Sequence, residues 1–295
     1  MSLFIQSIVN GLNQGAVYAL VALGYTMVYG IIRMINFAHG DFIMVGSYTL
    51  FYTIPLMVHA GMPAWLSVFI AIIVCVIVGV LVEKIAYKPV RNAGSISALI
   101  TALAMSLFLE NLALVLFGAN PKSVPAVFNL PMIDVLGAKL QSKYLITLAI
   151  GIIMMIALQV FVKKTKLGKS MRAVPEDKVA STLVGINVNK IITITFAIGS
   201  GLAAVAALMY CSTYPRATTE MGCMLGIKAF IAAVLGGIGS IPGAMLGGII
   251  VGLLEIFVKV YIAPGWYEAI TYGILIVVLL VKPTGILGKN VGEKV

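Results

Sequence analysis

Long apolar segments alternate with short polar ones along most of the chain. A helix needs about 20 apolar residues to cross the ~30 Å hydrocarbon core of a bilayer, so segments of this length predict transmembrane helices. The first segment is too long for the apolar core of a signal peptide and has no Lys or Arg before it, which favours a retained helix. The first six predicted helices cover about 5–32, 36–58, 65–82, 95–117, 144–162 and 190–211.

The C-terminal third of the chain is less regular. From 226 to 262 it is apolar almost throughout, but residues 236–243 are rich in glycine and contain a proline, and these residues break or bend helices. The predicted elements are a short helix over about 226–238, a break, a full helix over about 244–262 and a last helix over about 266–281.

The composition agrees with this pattern. Hydrophobic residues make up 61% of the 295 residues and charged residues only 10%, whereas a typical soluble domain has about 25% charged residues. The mean hydropathy is +1.09. These values exclude a water-soluble globular protein and leave no length for a separate soluble domain. The predicted fold is all-α: one transmembrane domain over 1–295, a polytopic integral membrane helical bundle with about eight to nine transmembrane segments that include one short broken helix.

Positive charge is distributed unevenly over the predicted loops. The net charge is +10, from 20 Lys and Arg against 10 Asp and Glu. Fourteen of the 20 fall on one side if the 226–238 helix crosses the membrane, and the positive-inside rule assigns that side to the cytoplasm. The N-terminus is then periplasmic and the C-terminus cytoplasmic, and the basic excess indicates orientation rather than nucleic-acid binding. The fourteen are Arg33, Lys84, Lys88, Arg91, Lys163, Lys164, Lys166, Lys169, Arg172, Lys178, Lys190, Lys282, Lys289 and Lys294.

A short helix is predicted over 175–184, in the polar segment after the fifth apolar one. Pro175 suits a first helical turn, and the acidic side chains of Glu176 and Asp177 suit the positive end of a helix dipole. Gly185 is a natural stop. The signals therefore define a helix of about ten residues in a loop.

One face of this predicted helix is apolar, because Val179, Ala180, Leu183 and Val184 recur at helical spacing. The loop over 163–190 is predicted to be cytoplasmic, so the face meets one of two partners. It binds another protein, or it packs against the chain's own helix ends or the lipid headgroups. Composition alone leaves both alternatives open.

The glycines of the C-terminal third also support two interpretations. Gly239, Gly243 and Gly247 are spaced four apart, as are Gly248 and Gly252, and such spacing lets helices approach closely in a bilayer. A discontinuous helix that exposes backbone groups within the membrane, as in transporters, is the second interpretation. A phosphate-binding loop is excluded, because no Gly-Lys-Ser/Thr follows the glycines.

A polar cluster lies at the predicted inner end of the first helical hairpin. Asn36, His39 and Asp41 bring an amide, an imidazole and a carboxylate together. They either tie two helix ends together by hydrogen bonds or take part in gating. Neither His39 nor His59 has metal-ligand spacing, and no Ser/His/Asp arrangement is evident, so no cofactor, metal or catalytic site is predicted.

Further ionisable residues fall within apolar segments. Glu110 lies near the outer half of the fourth predicted helix, where it either snorkels to the interface or serves a functional site. Glu255 and Lys259 are four apart and are predicted to pair on one helix face.

Five sequence stretches resemble one family, the permease subunits of branched-chain amino acid ABC transporters, of the LivH type. They occur in the expected order and spacing over nearly the whole chain, whereas Glu110 and the predicted external segment 118–143 match no motif. The stretches are GYTMVYG at 24–30, NFAHGD at 36–41, the motif over 172–187, the glycine-rich motif over 229–244 and PTGILG at 283–288.

The resemblance implies an ATP-driven importer of leucine, isoleucine or valine in the bacterial inner membrane. Its partners would be a second permease of the LivM type, two cytoplasmic ATPases and a periplasmic substrate-binding protein. The chain has no Walker A motif, so it is not predicted to be an enzyme, and ATP hydrolysis would come from the partners. The resemblance also identifies 168–187 as the segment that meets an ATPase, with Arg172, Val179, Ala180, Leu183 and Gly185 as coupling residues.

Other functions remain to be compared with this one. Related permeases serve urea, short amides or other amino acids. A secondary transporter would need buried ionisable relays, of which the sequence has few, and an intramembrane enzyme would need a catalytic constellation, which we do not find in the sequence. The break residues Gly236, Gly237, Gly239, Pro242 and Gly243 are candidates for packing in any of these functions.

Overall fold

A computed structural model describes residues 2–91, 93–128, 131–135, 138–282 and 284–288. The helices are α1 (Ser2–Ile32), α2 (Asp41–His59), α3 (Leu66–Val82), α4 (Lys88–Val90), α5 (Ser95–Phe117), α6 (Ser142–Lys164), α7 (Lys166–Ala173), α8 (Lys178–Leu183), α9 (Val188–Thr213), α10 (Met221–Gly236), α11 (Ile241–Tyr261) and α12 (Tyr267–Val281). A 3₁₀ turn spans Phe37–His39, and a π-helical turn over Glu83–Tyr87 joins α3 to α4.

The helices confirm the predicted all-α membrane bundle. Seven of them, in the described part of the chain, are long and apolar enough to cross a bilayer. Two shorter apolar helices, Met221–Gly236 and Tyr267–Val281, bring the number of candidate crossings to nine. The predicted boundaries of the seven long helices agree with the structure within a few residues.

The centre of the bundle is a glycine-mediated crossing of α1 and α11. A Cβ atom added to Gly15 would lie 2.7 Å from the Ile249 Cα atom, which is closer than side-chain atoms approach a backbone. Gly248 and Gly252 face the backbone of Ala19 and Gly15 in the same way. Small residues therefore mark a close helix interface here, as their four-residue spacing predicted.

Four short strands were not predicted. β2 (Met132–Val135) and β3 (Ala138–Gln141) form an antiparallel hairpin within the 118–143 connection. β1 (Lys122–Ser123) pairs with β4 (Arg216–Ala217), which lies between α9 and α10. The connections 118–143 and 212–225 therefore meet on one face of the bundle.

Candidate functional site

The polar cluster lies deeper in the bundle than the sequence predicts. After α1 the chain turns at Arg33, which has a φ of +58°, and folds back along α1. The His39 ring then lies against Gly24, eight residues before the end of α1 and about 12 Å from it. A Cβ at Gly199 on α9 would also be only 3.3 Å from this ring. The expected position of His39 at the inner helix ends is therefore wrong.

Glycines bring the N-terminal ends of α2 and α10 into direct contact. A Cβ at Gly40 would lie 2.7 Å from the Gly226 Cα, and a Cβ at Gly222 would lie 2.7 Å from the Asp41 Cα. The predicted start of the short helix at Gly226 is wrong, because the helix begins five residues earlier at Met221. Gly222 and Gly226 serve this crossing rather than the helix end.

Most polar atoms of the cluster have no close hydrogen-bond partner among the described residues. The Asn36 Oδ1 atom accepts a hydrogen bond of 2.6 Å from the Tyr87 hydroxyl. In the described part of the chain no partner is found for Asn36 Nδ2, His39 Nε2 or either Asp41 oxygen, although all three residues are buried. A hydrogen-bonding role in tying helix ends together therefore has support only at Asn36.

Glu110 does not snorkel outward. Its Oε1 atom is buried without a partner among the described residues, and its carboxylate lies close to the Cys223 backbone in the first turn of α10. Glu110 thus faces the same helix end as Asp41. The alternative in which Glu110 snorkels to the interface is therefore replaced by an inward orientation of its side chain.

Aromatic side chains of α1, α10 and the 3₁₀ turn pack together beside the polar cluster. The Phe230 ring lies 6.1 Å from that of Tyr25 and 5.6 Å from that of Phe37, measured between centroids. Tyr25 also makes an edge contact with His39 at 5.1 Å. These contacts link α1, α10 and the 3₁₀ turn at one side of the polar cluster.

The break between α10 and α11 is a tight turn. Gly237 and Gly239 have φ values of +107° and +93°, a region that favours glycine. The Ser240 hydroxyl accepts a hydrogen bond of 3.2 Å from the Gly243 N–H and caps α11, and Pro242 lies in the first turn. The full helix therefore begins at Ile241 rather than at residue 244.

The chain's own C-terminal segment completes this break. The Ile286 N–H donates to the Leu235 carbonyl and the Leu287 N–H donates to the Gly236 carbonyl, both at 2.9 Å. These two carbonyls at the end of α10 would otherwise be orphaned. A discontinuous helix thus exists here, with its last carbonyls satisfied by the protein. Pro283 of the matched motif lies outside the described residues, as do Lys289 and Lys294.

The glycines of the break differ in function, and substitutions will separate them. A Cβ at Gly243 would collide with the Gly236 backbone, whereas nothing lies within 4 Å of a Cβ at Gly239. The prediction that Gly239 packs against a helix is therefore wrong, and its backbone conformation explains it. We expect Gly243→Leu to prevent assembly, and Gly239→Leu to cost about 1–2 kcal/mol of folding free energy because of its left-handed backbone.

Yield and thermal midpoint of the detergent-purified protein measure both effects. Gly273→Leu on α12 is the matched control, because a Cβ there meets nothing within 4 Å. Equal losses for Gly243→Leu and Gly273→Leu would show that the α10–α11 contact is not tight.

The polar segment after α6 forms two helices rather than one. Thr165 caps the unpredicted α7, and Asp177 caps α8 by accepting hydrogen bonds from the Val179 and Ala180 N–H groups at 2.8 and 2.9 Å. The predicted start at Pro175 is wrong, because Pro175 lies in the turn before the cap. Gly185, with a φ of +86°, follows the end of α8 as expected.

The apolar face of α8 is exposed. Val179, Leu183 and Val184 expose 71%, 83% and 76% of their surface, whereas Ser181 on the other face is 4% exposed. Packing of this face against the chain's own helices is therefore ruled out among the described residues. Arg172, on α7, donates a hydrogen bond of 3.3 Å to the Lys163 carbonyl, which folds α7 back towards α6.

A buried ion cluster joins four helices and was only partly predicted. Glu255 is 1% exposed and accepts hydrogen bonds from Lys259 at 2.5 Å, from the Tyr18 hydroxyl at 2.5 Å and from Lys228 at 3.2 Å. Both ammonium groups also lie over the Tyr267 ring, at 4.6 Å for Lys228 and 3.9 Å for Lys259. Sequence analysis missed Lys228, although a lysine within an apolar helix is itself a signal.

The comparisons identify the family. The family described as "Branched-chain amino acid transport system / permease component" matches residues 7–280. This chain belongs to that family. The permease is a multi-pass membrane protein, and its matched region includes α2, α10, α11 and the α7–α8 segment.

Individual relatives match over nearly the whole permease. The high-affinity branched-chain amino acid transport system permease protein LivH of Salmonella typhimurium is 42% identical over 99% of this chain and 98% of its own length. The corresponding protein BraD of Pseudomonas aeruginosa is also 42% identical, with the same coverage. The ribose import permease protein RbsC of Haemophilus influenzae is 26% identical over 93% of this chain and 84% of its own length.

Proposed function

We propose that this chain is a permease subunit of an ATP-driven importer of leucine, isoleucine and valine in the bacterial inner membrane. Relatives named for high-affinity branched-chain amino acid transport, 42% identical over nearly the whole chain, support this substrate class. A second permease of the LivM type would complete the translocation path. Two cytoplasmic ATPases would supply the energy, and a periplasmic binding protein would deliver the substrate.

The observation that carries the proposal is the exposed apolar face of α8. We call Val179, Ala180, Leu183 and Val184 the coupling face. Exposed aliphatic side chains grouped on one short helix mark an interaction site. A permease without a phosphate-binding loop receives the energy of ATP from another chain, and this face offers that chain a docking surface, together with the neighbouring Arg172.

Contacts between loops support the proposed orientation. β1 and β4 pair, so the connections 118–143 and 212–225 share one face of the bundle. Arg91, which follows α4, donates a hydrogen bond of 2.7 Å to Asn189 Oδ1 at the start of α9. The β1–β4 pair lies just after the other end of α9. The segments richest in Lys and Arg therefore belong together, and the positive-inside rule assigns them to the cytoplasm.

Reporter fusions test this orientation. We expect fusions within 163–190 and after Val295, which lies outside the described residues, to report the cytoplasm, and a fusion within 118–143 to report the periplasm. Alkaline phosphatase and green fluorescent protein give opposite signals on the two sides. A periplasmic C-terminal fusion combined with a cytoplasmic 163–190 fusion would mean that α10 does not cross the membrane.

Reconstitution tests the function itself. The permease, its sister subunit, the ATPases and the binding protein from the same genome are combined in liposomes, and leucine uptake is followed with and without ATP. Uptake that follows an ion gradient without ATP would favour a secondary transporter. A relative named for ribose import is 26% identical to this chain, so the cargo needs direct identification. Mass spectrometry of the purified binding protein identifies the ligand that it carries. If that ligand is urea, a short amide or an unrelated amino acid, the proposed substrate class is wrong.

A further inference from the structure

A group of buried carboxylate oxygens lies where α2, α5 and α10 meet. The Asp41 carboxylate rests against Gly222, and the Glu110 carboxylate lies close to the backbone of Cys223. The Ser106 hydroxyl faces Asp41, and Glu110 is one helical turn from Ser106 on α5, so the two side chains share a helix face. Two acidic side chains from different helices thus converge on the first turn of α10.

Apart from the Ser106 hydroxyl that faces Asp41, three oxygens of this group have no close hydrogen-bond partner among the described residues. They are both oxygens of Asp41, which is 0% exposed, and Oε1 of Glu110. Buried polar atoms in folded proteins nearly always have partners. Two like charges in apolar surroundings are also unfavourable unless an opposite charge joins them. The arrangement therefore calls for a cation that donates hydrogen bonds.

We propose that Asp41 and Glu110 bind the primary ammonium group of the transported amino acid during its passage. An ammonium group has three N–H donors, and Asp41 and Glu110 offer buried carboxylate oxygens that the single Ser106 hydroxyl cannot satisfy. The inference rests on the proposed function, since it requires an amino acid as the cargo. It adds to that function a place within the chain where the cargo is held.

The surroundings favour an amino acid with an apolar side chain over a metal ion. No group of three or more His, Cys, Asp or Glu side chains suited to a metal is found among the described residues. The Tyr25 hydroxyl lies next to Gly226, which packs against Gly40; the Tyr25 ring packs against that of Phe230, which in turn packs against Phe37. These rings provide an apolar wall for a branched aliphatic side chain.

The site is closed in this structure. Asp41 is inaccessible to solvent, and the glycine contacts leave no space between α2 and α10. Binding therefore requires these two helix ends to separate. Glycines at Gly40, Gly222 and Gly226 allow this, because no side chains interlock across the contact.

Chemical labelling of the wild-type assembly is the first test. Dicyclohexylcarbodiimide adds to carboxyl groups in apolar surroundings, and mass spectrometry measures labelling of Asp41 and Glu110 in the purified complex with ATPases and binding protein. We expect L-leucine and 3-methylbutylamine to protect both residues, and 4-methylpentanoate, which lacks the ammonium group, to give no protection. Equal protection by 4-methylpentanoate, or protection by Na⁺ alone, would overturn the proposal.

Transport by variants is the second test. In Asp41→Asn and in Glu110→Gln we expect leucine uptake to fall at least about tenfold, while ATP hydrolysis stimulated by the loaded binding protein stays within about twofold. Glu176→Gln, an exposed carboxylate in the turn before α8, is the control and should transport normally. If a variant fails to accumulate in the membrane, labelling of the wild-type protein tests the ammonium site on its own.

Failure of the proposed function and failure of the ammonium site give different experimental results. Absence of ATP-driven uptake by the wild-type assembly would refute the proposed function and the ammonium site with it. Normal wild-type uptake, together with unchanged uptake by both variants and no protection by leucine, would refute the ammonium site alone.

Discussion

Replacing Val179 and Leu183 together by Asp is expected to release the ATPase while the permease stays inserted and paired with its sister subunit. The two side chains are one helical turn apart and 71% and 83% exposed, so the substitutions disturb little within the chain. Burying each against a partner would contribute about 1.5–3 kcal/mol, part of which is offset by the cost of association. The ATPase that co-purifies with the permease should fall at least about tenfold.

Two matched variants distinguish loss of an apolar contact from other effects. Val179→Ile/Leu183→Met keeps the coupling face apolar and should retain the ATPase. Lys163→Gln/Lys164→Gln changes charges at the end of α6 and should have a small effect, because headgroup contact and orientation explain those residues better. Full retention of the ATPase, with normal stimulation by the loaded binding protein, in the double Asp variant would assign the coupling face to the headgroup region.

Replacing Glu255 by Leu is expected to destabilise the permease more than any change on its surface. Lys228 is 7% exposed and would lose its carboxylate partner, as would Lys259. Removing one member of a buried ion pair costs about 3–5 kcal/mol, because the remaining charge is left uncompensated. The thermal midpoint of the purified protein should fall well below that of Glu176→Leu, a carboxylate exposed in the turn before α8.

A triple replacement tests the reason for that loss. With Lys228 and Lys259 also changed to Leu, most of the stability should return, since an apolar group can replace a whole buried ion cluster at little cost. No recovery in the triple variant would mean that Glu255 acts through the Tyr18 hydroxyl, which donates to it, rather than through the lysines.

Local patterns predicted the helices and part of their packing. A crossing helix of about 20 apolar residues is a property of one segment, so α5 was predicted with its observed bounds over 95–117. The spacing of Gly248 and Gly252 marked the α1–α11 contact, because a close crossing needs small residues one turn apart on one helix. These features required no knowledge of the partner helix.

Features that depend on distant segments were not predictable in this way. The position of His39 depends on two glycines on other helices, Gly24 and Gly199, and no pattern within 33–40 indicates that the chain folds back. Lys228 finds its carboxylate 27 residues later, on another helix. At α8 the start predicted at Pro175 was wrong, because the Asp177 side chain caps the helix and satisfies two free N–H groups of the first turn.

The contact of the C-terminal segment with α10 has a consequence for synthesis of the chain. The carbonyls of Leu235 and Gly236 receive their donors from Ile286 and Leu287, which are made about 50 residues later. Until residues 286 and 287 have been made, the α10–α11 hairpin lacks these two donors for its backbone acceptors. A ribosome that stalls after α12 would therefore leave a permease with all its crossings and an unfinished turn, a defect that quality control could recognise at the membrane surface.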